Sequence, residues 1–138
     1  MLDTSRRTVL KVIGTTAAIG LFPVYLAGCS KVDINSVGAQ MMAELDHIDI
    51  AREIGATYIE QAPDLQSATY EQVTQLLLNK LALTMSKKDL VALSARLREQ
   101  VNQDFISENV VIVDGWMLSN TEATLCALAS VAPDNATS

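Results

Sequence analysis

The chain has 138 residues, of which ten are basic and sixteen are acidic, so its formal charge is −6. A negative surface repels phosphate backbones, and this charge therefore disfavours nucleic-acid binding. Two cysteines and a single histidine, His47, are too few for a zinc, haem or iron–sulfur site. We expect no metal and no cofactor, and we expect His47 to face solvent from a helix.

The first distinctive stretch lies near the N-terminus. Ser5-Arg6-Arg7-Thr8-Val9-Leu10-Lys11 places two adjacent arginines ahead of the apolar run 12–27. It resembles the twin-arginine pattern, with Val9 where phenylalanine is usual. Such a stretch is an address that a receptor reads, and it is excluded from the mature fold. Arg6 and Arg7 are therefore predicted to be recognised by the twin-arginine export machinery.

The apolar run ends at Leu26-Ala27-Gly28-Cys29, which resembles a bacterial lipoprotein box. In that box the cysteine is lipidated and becomes the first residue of the mature chain. The run is interrupted by two glycines and a proline and is shorter than the roughly 20 residues of a membrane span. We predict a signal peptide at 1–28 and lipid attachment at Cys29. The alternatives are an uncleaved membrane helix and a chance Leu-Ala-Gly-Cys match.

Without residues 1–28, the remaining 110 residues hold seven basic and fifteen acidic side chains, a formal charge of −8. That length suffices for one small domain and is too short for two cores. The charge argues against a basic patch on anionic lipids, so acyl chains would provide membrane attachment. We expect a periplasm-facing protein of the cell envelope. By the resemblance to Gram-negative lipoproteins, Ser30 favours the outer membrane over the inner one. Cys126, the remaining thiol, is expected to be a small buried apolar residue.

The mature chain is predicted to consist of a lipidated tether at 29–36, a helical domain at 37–132 and a disordered tail at 133–138. Apolar residues at helical spacing predict a first helix from Val37 to Glu60, with an apolar arc wider than half its surface. Gly55 lies in the middle of that arc, where the missing side chain would let another backbone approach. The alternative is a tolerated helix glycine, at a cost of about 1 kcal/mol. Ala62-Pro63-Asp64 ends the helix.

Capping signals predict the remaining helices. Thr69 to Gln72 has the spacing of a capping box and opens a second helix to about Leu83. Ser86-Lys87-Lys88-Asp89 begins a third helix, and Ser119 to Glu122 is a second capping box that opens a short apolar helix through Ala129 or Val131. The third helix carries one apolar stripe at spacings of three and four: Leu90, Leu93, Leu97, Val101 and Phe105.

Val110 to Val113 is a β-branched run closed by Asp114-Gly115, which predicts an extended segment and a turn. One strand cannot form a sheet alone. It must lie across the helices, pair with another extended segment of the chain, or add to a sheet edge of a partner. We therefore predict an all-α fold, a small three- to four-helix domain with one short extended segment, preceded by a cleavable signal.

A partner contact is predicted at Val111, Val113 and Trp116, together with Gly55 on the wide face of the first helix. A domain of this size leaves much apolar surface exposed, and these two segments carry more apolar residues than a small bundle needs. Trp116 follows a turn, where an amphipathic ring can anchor another protein. The alternative is that Trp116 and the valines cover the domain's own core.

The chain contains no Gly-rich phosphate loop, nucleophile elbow or paired histidine and carboxylate. We interpret the acidic residues of the first helix as its solvated face, and we predict no catalytic residues. In its signal and general architecture the chain resembles the small twin-arginine subunits of membrane-bound flavin dehydrogenases for sugars, polyols and gluconate. The resemblance implies a non-catalytic accessory subunit that escorts or anchors the large catalytic subunit of an oxidoreductase.

Two other functions remain open at this point. The chain is alternatively a structural or assembly lipoprotein of a respiratory or other envelope complex. A small enzyme is the third reading, for which the inventory of titratable and metal-ligating residues is thin.

Overall fold

A computed structural model describes residues 32–134, so the predicted export signal, the predicted lipidation site Cys29 and the last residues of the predicted tail lie outside the described residues. The described part is mostly helical, as predicted, and also contains a small two-stranded sheet. Its elements in chain order are α1 (Ile34–Met42), α2 (Ile48–Gln61), a 3₁₀ turn (Pro63–Leu65), α3 (Tyr70–Lys80), α4 (Lys87–Leu90), α5 (Leu93–Ile106), β1 (Val110–Val113), β2 (Trp116–Ser119) and α6 (Asn120–Val131). Within 32–134, no helix combines the length and apolarity that a membrane crossing requires.

Helix α6 lies at the centre of the domain. Nine consecutive residues, Thr121 to Ala129, are buried, so the helix has no solvated face along that stretch. A helix that is apolar all round is stable only when other elements surround it. Here α1, α2, α3, α5 and both strands contact it. The predicted short apolar C-terminal helix is therefore the element on which the rest of the domain packs.

The N-terminus of α6 is buried, and its first amides are all hydrogen-bonded. The predicted capping box is present, because Ser119 Oγ accepts from Glu122 N at 3.0 Å and Glu122 Oε1 accepts from Ser119 N at 2.9 Å. The amide of Asn120 donates to the carbonyl of Asn109 at 3.0 Å. The next amide, that of Thr121, donates to a side chain of α5. A buried helix end is stable only when such partners replace water.

That side chain is Asp104, which is almost completely buried. Its Oδ2 accepts from Thr121 N at 2.8 Å and from Thr121 Oγ1 at 2.7 Å. Its Oδ1 accepts from Gln100 Nε2 at 3.1 Å and from Asn109 Nδ2 at 3.4 Å. A buried carboxylate is tolerated only when donors surround it. Asp104 therefore joins α5 to the start of α6.

Two predicted helices are each broken in two, so the described residues contain six helices where three or four were predicted. The segment Val37–Glu60 forms parts of α1 and α2, which are separated by residues 43–47. Each helix buries its own narrower face, and this explains why one continuous helix required an over-wide apolar arc. The third predicted helix forms α4 and α5, with a break at Val91-Ala92. Helix α1 also begins at Ile34, inside the predicted tether 29–36.

Helices α3 and α5 end in Schellman motifs that have no glycine. After α3, the amide of Leu83 donates to the carbonyl of Leu78 at 3.0 Å, and Ala82 between them has φ 57°. After α5, the amide of Asn109 donates to the carbonyl of Asp104 at 2.7 Å, with Glu108 at φ 61°. Glycine normally occupies this left-handed position, because a Cβ there is unfavourable. The sequence signal for where α3 ends was therefore missing, and the helix was predicted to run to Leu83 and not to Lys80.

Ala82→Gly is expected to raise the free energy of unfolding by about 0.5 to 1 kcal/mol. Glycine removes the steric cost of the positive φ, and this gain exceeds the stability lost through the higher conformational entropy of the unfolded chain. Ala56→Gly is the matched control, since Ala56 is an exposed residue in the middle of α2. There the same substitution should lower stability by about 1 kcal/mol. Urea denaturation of both variants measures whether the free energy of unfolding rises or falls in each. A destabilised Ala82→Gly variant would contradict the assignment of the helix end.

Candidate functional site

The candidate site is the β-hairpin, residues 110–119. The predicted strand β1 pairs antiparallel with another segment of the chain, β2, which is one of the three arrangements left open by the sequence. Val111 lies opposite Leu118 and Val113 lies opposite Trp116. The turn residues Asp114 and Gly115 have φ 52° and 81°. Two central residues with positive φ define the type I′ turn that closes two-residue hairpins, and Asp-Gly is a preferred sequence for it. Asp-Gly after a β-branched run is the signal that could have identified β2, but Trp116–Ser119 is short and runs directly into the capping box.

The two faces of the hairpin differ in burial. Residues opposite each other in an antiparallel pair point to the same face. The inner face consists of Val111, Val113, Trp116 and Leu118. Within it, Val113 and Leu118 are completely buried, whereas Val111 and Trp116 are partly buried and pack against the core. On the outer face, Ile112 and Met117 form a cross-strand pair, with 56% and 37% of their surface exposed.

The predicted partner residues are therefore split between core and surface. Val113 and Gly55 lie inside the domain, so neither offers surface to another protein. A Cβ on Gly55 would lie 1.9 Å from the carbonyl oxygen of Cys126, so the backbone expected to approach this glycine is that of α6 in the same chain. Val111 and Trp116 keep part of their surface exposed. Sequence reasoning missed Ile112 and Met117, although alternation along β1 places Ile112 opposite in direction to the two valines.

Trp116→Ala is expected to lower the free energy of unfolding by about 2 kcal/mol, less than the loss of a fully buried tryptophan, because the ring is only partly buried against the core. Ile112→Ala is the matched control on the outer face and should change stability by no more than about 0.5 kcal/mol. Thermal and urea denaturation of both variants test this. Equal losses would mean that the inner and outer faces are assigned wrongly.

The segment of chain that contains the hairpin carries only negative charges. Residues 99–138 contain no lysine or arginine and six acidic residues. Two of these are exposed: Glu108, two residues before β1, and Asp114, in the turn. Asp114 Oδ2 accepts from Thr57 Oγ1 at 3.4 Å, which holds the turn near α2. The hairpin and the residues that flank it therefore carry a net negative charge.

The buried titratable groups serve the fold. Cys126 is free and completely buried, as predicted, and burial, together with the negative charge of Glu122, raises the pKa of its thiol to about 12. A thiol that stays protonated is a poor nucleophile. Burial alone would raise the pKa of Asp104, but hydrogen bonds from Thr121 and Gln100 and the charge of Lys80 outweigh it and hold that pKa below its ordinary value. Asp104 is therefore a carboxylate engaged in capping α6.

A cluster of hydrogen-bonded polar side chains links three helices. The Lys80 ammonium of α3 donates to Asn120 Oδ1 of α6, and Asn120 Nδ2 donates to the Tyr58 hydroxyl of α2 at 3.4 Å. Thr124 donates to the Asn120 carbonyl at 2.8 Å. Burial raises the pKa of Tyr58, although hydrogen bonds with Asn120 and Thr124 oppose this. Hydrogen bonds among these side chains therefore join α2, α3 and α6.

The described residues include no cluster of three or more histidine, cysteine, aspartate or glutamate side chains that could hold a metal ion. His47 is 67% exposed, as expected, with its Nε2 3.9 Å from Asp46 Oδ2. It lies immediately before α2, in the break between the first two helices, and not within a helix as predicted.

No protein-family model matches the chain. Searches of curated proteins and of solved structures find no significant match either.

Proposed function

We propose that this chain is a small, non-catalytic lipoprotein subunit of the cell envelope that escorts and anchors a partner protein. In this proposal the twin-arginine machinery exports it, Cys29 carries the lipid, and the domain faces the periplasm at the outer membrane. The observation that carries this proposal is the order of segments in the sequence. The twin-arginine pattern at Ser5–Lys11 is followed by an apolar run and by the lipoprotein-box pattern at Leu26–Cys29, and a folded domain begins soon afterwards. By the resemblance described above, the partner class is the catalytic large subunit of a membrane-bound flavin dehydrogenase.

The distance between lipid and domain supports anchoring. The N-cap of α1 is Asp33, four residues after Cys29. Four extended residues span at most about 14 Å. A domain tethered so closely must remain next to the bilayer surface, and a partner bound to it would be held there too.

The composition of the domain supports a binding role more than a catalytic one. Four of the six buried polar residues of the described chain, Asp104, Ser119, Thr121 and Glu122, form the cap of the central helix. The hairpin, in contrast, exposes the apolar side chains of Ile112 and Met117 near the exposed carboxylates of Glu108 and Asp114. Exposed apolar residues with a polar rim are characteristic of protein–protein contacts.

Replacing Arg6-Arg7 with Lys-Lys is expected to abolish export of the chain and, with it, delivery of the partner. Lysine keeps the positive charge but lacks the planar fork of donors on the guanidinium group. Lys11→Arg is the matched control, because it also preserves charge beside the same run and should leave export intact. Immunoblots of periplasmic and membrane fractions measure this chain, and mass spectrometry of the same fractions measures proteins that disappear with it.

Three results are informative. Normal export of the Lys-Lys variant contradicts the twin-arginine assignment. Loss of this chain with normal delivery of every other envelope protein contradicts escort and favours a structural or assembly lipoprotein. An N-terminus at a residue other than Cys29, without acyl mass, contradicts lipid anchoring, for which Cys29→Ser is the corresponding variant.

A further inference from the structure

The outer face of the hairpin combines exposed apolar side chains with nearby carboxylates. Ile112 and Met117 are directly opposite each other and both are exposed. Ile106, at the last residue of α5, is 74% exposed and lies just before the hairpin in the chain. Half of the six large hydrophobic residues exposed in the described chain therefore lie in the segment 106–117. The surface is apolar at the Ile112–Met117 pair and acidic at Glu108 and Asp114.

Three kinds of partner could cover this surface: a second copy of the chain, a lipid bilayer, or another protein. Its negative charge favours one of them. In a second copy of the chain, the same patch would bring Glu108 and Asp114 against identical carboxylates, and like charges at an interface are strongly unfavourable. An anionic bilayer would repel the same carboxylates. A surface with lysines or arginines around an apolar centre would pair with them, because the segment 99–138 supplies no positive charge of its own.

We propose that the outer face of the hairpin, Ile112 and Met117 flanked by Glu108 and Asp114, docks a partner protein through a surface that is apolar at its centre and basic at its rim. This inference rests on the proposed function and specifies the contact that an escort subunit would use. It also moves the predicted contact from the inward residues Val113 and Gly55 to the outward residues of the same hairpin. Trp116 contributes by holding the hairpin on the core.

The arrangement of the hairpin fits this role. The inner face is fixed by the buried residues Val113 and Leu118, and Asp114 bonds to Thr57 of α2 at the turn. Ile112 and Met117 are therefore presented on a strand pair whose position is already determined in the free chain. A preorganised surface loses little conformational entropy on binding, so its contacts translate more fully into affinity.

The test uses the full-length lipidated chain in its own cells, with the photo-cross-linking residue p-benzoylphenylalanine at position 112. The matched control carries the same residue at position 91, because Val91 and Ile112 are equally exposed, at 56%. Mass spectrometry then maps the cross-linked peptides. We expect position 112, and not position 91, to link to one protein, at a peptide in which lysines or arginines flank apolar residues.

A charge variant tests complementarity independently. Glu108→Lys with Asp114→Asn should weaken binding of the cross-linked protein about 10-fold at low salt, and raising the salt concentration should reduce the difference. Asn is chosen because Asn-Gly also suits the type I′ turn. The control is Glu71→Lys with Asp64→Asn, which makes the same charge change on α3 and the 3₁₀ turn and should leave binding unchanged. Circular dichroism confirms that each variant is folded.

Several outcomes would overturn the inference: cross-links from position 112 to a second copy, identical products from positions 91 and 112, no product at position 112, or full affinity of the charge variant. If a partner accompanies the wild-type chain and every hairpin variant equally, the hairpin inference fails and the proposed function stands. If no protein is lost from the envelope with the Lys-Lys signal variant, the escort function itself fails.

Discussion

Gly55→Ala is expected to lower the free energy of unfolding by about 3 kcal/mol, the upper end of the usual cost of overpacking. The added Cβ would lie 1.9 Å from the carbonyl oxygen and 2.4 Å from the carbonyl carbon of Cys126. Both atoms belong to the backbone of the central helix α6, so no side-chain rotation can relieve the contact. Helices α2 and α6 would have to separate, and this loss exceeds the roughly 1 kcal/mol that alanine gains in helix propensity.

Gly38→Ala is the matched control for this prediction. A Cβ on Gly38 would meet side-chain atoms only, the nearest being the Tyr70 hydroxyl at 2.6 Å and Thr74 Oγ1 at 2.7 Å. The Tyr70 ring can move by sacrificing its hydrogen bond to the Asn35 carbonyl, so the net cost should be no more than about 1 kcal/mol. Urea denaturation compares the two variants. A smaller effect at Gly55 than at Gly38 would contradict the close approach of α2 to α6.

Asp104→Asn is expected to lower the free energy of unfolding by about 2 to 3 kcal/mol at neutral pH. The carboxylate accepts from Thr121 N, Thr121 Oγ1, Gln100 Nε2 and Asn109 Nδ2. An asparagine has one oxygen and one amide nitrogen, so two of these donors would face another donor. The affected bonds are buried and charge-assisted, which places the loss above that of an ordinary surface hydrogen bond.

The pH dependence identifies the cause of that loss. Because the pKa of Asp104 is lowered in the folded chain, its contribution to stability is present above the unfolded pKa, about 3.9. It is lost as pH falls through the folded pKa. The wild type should therefore lose more stability than the Asn variant between neutral pH and pH values below about 4. The difference between the two proteins should shrink over that range.

The control is Asp64→Asn, an exposed carboxylate in the 3₁₀ turn. It should change stability by no more than about 0.5 kcal/mol at neutral pH. Denaturation curves for the three proteins from neutral to acid pH provide the measurement. A difference between wild type and Asp104→Asn that stays constant with pH would show that the carboxylate charge does not stabilise the cap.

The sequence predicted the helical class and the local signals that begin helices. Both capping boxes, Thr69 with Gln72 and Ser119 with Glu122, are present with both of their hydrogen bonds. The proline at position 63 ends α2 where it was expected to. These features depend on residues within four positions of each other, so a local pattern is sufficient to predict them. The buried state of Cys126 also followed from its apolar neighbours.

The sequence also suggested an interface without showing which side of the hairpin would form it. Val111, Val113 and Trp116 are apolar, and their composition is equally suitable for a core or for a contact. Only the pairing register decides, because a shift of one residue would exchange the inner and outer faces. The register places Ile112 and Met117 outward and the two valines inward.

The break of the first helix at 43–47 and the capping of α6 by Asp104 were decided by tertiary structure. Neither has a local signal, because the break contains no proline or glycine and Asp104 is 17 residues from the amide that it caps. They arise because α6 is buried on every side, so neighbouring helices must approach its backbone and its amides must find partners away from water. By itself the sequence determined where the capped helices α3, α4 and α6 begin, because caps are short-range hydrogen bonds. The fold decided which faces meet, because burial depends on residues far apart in the chain.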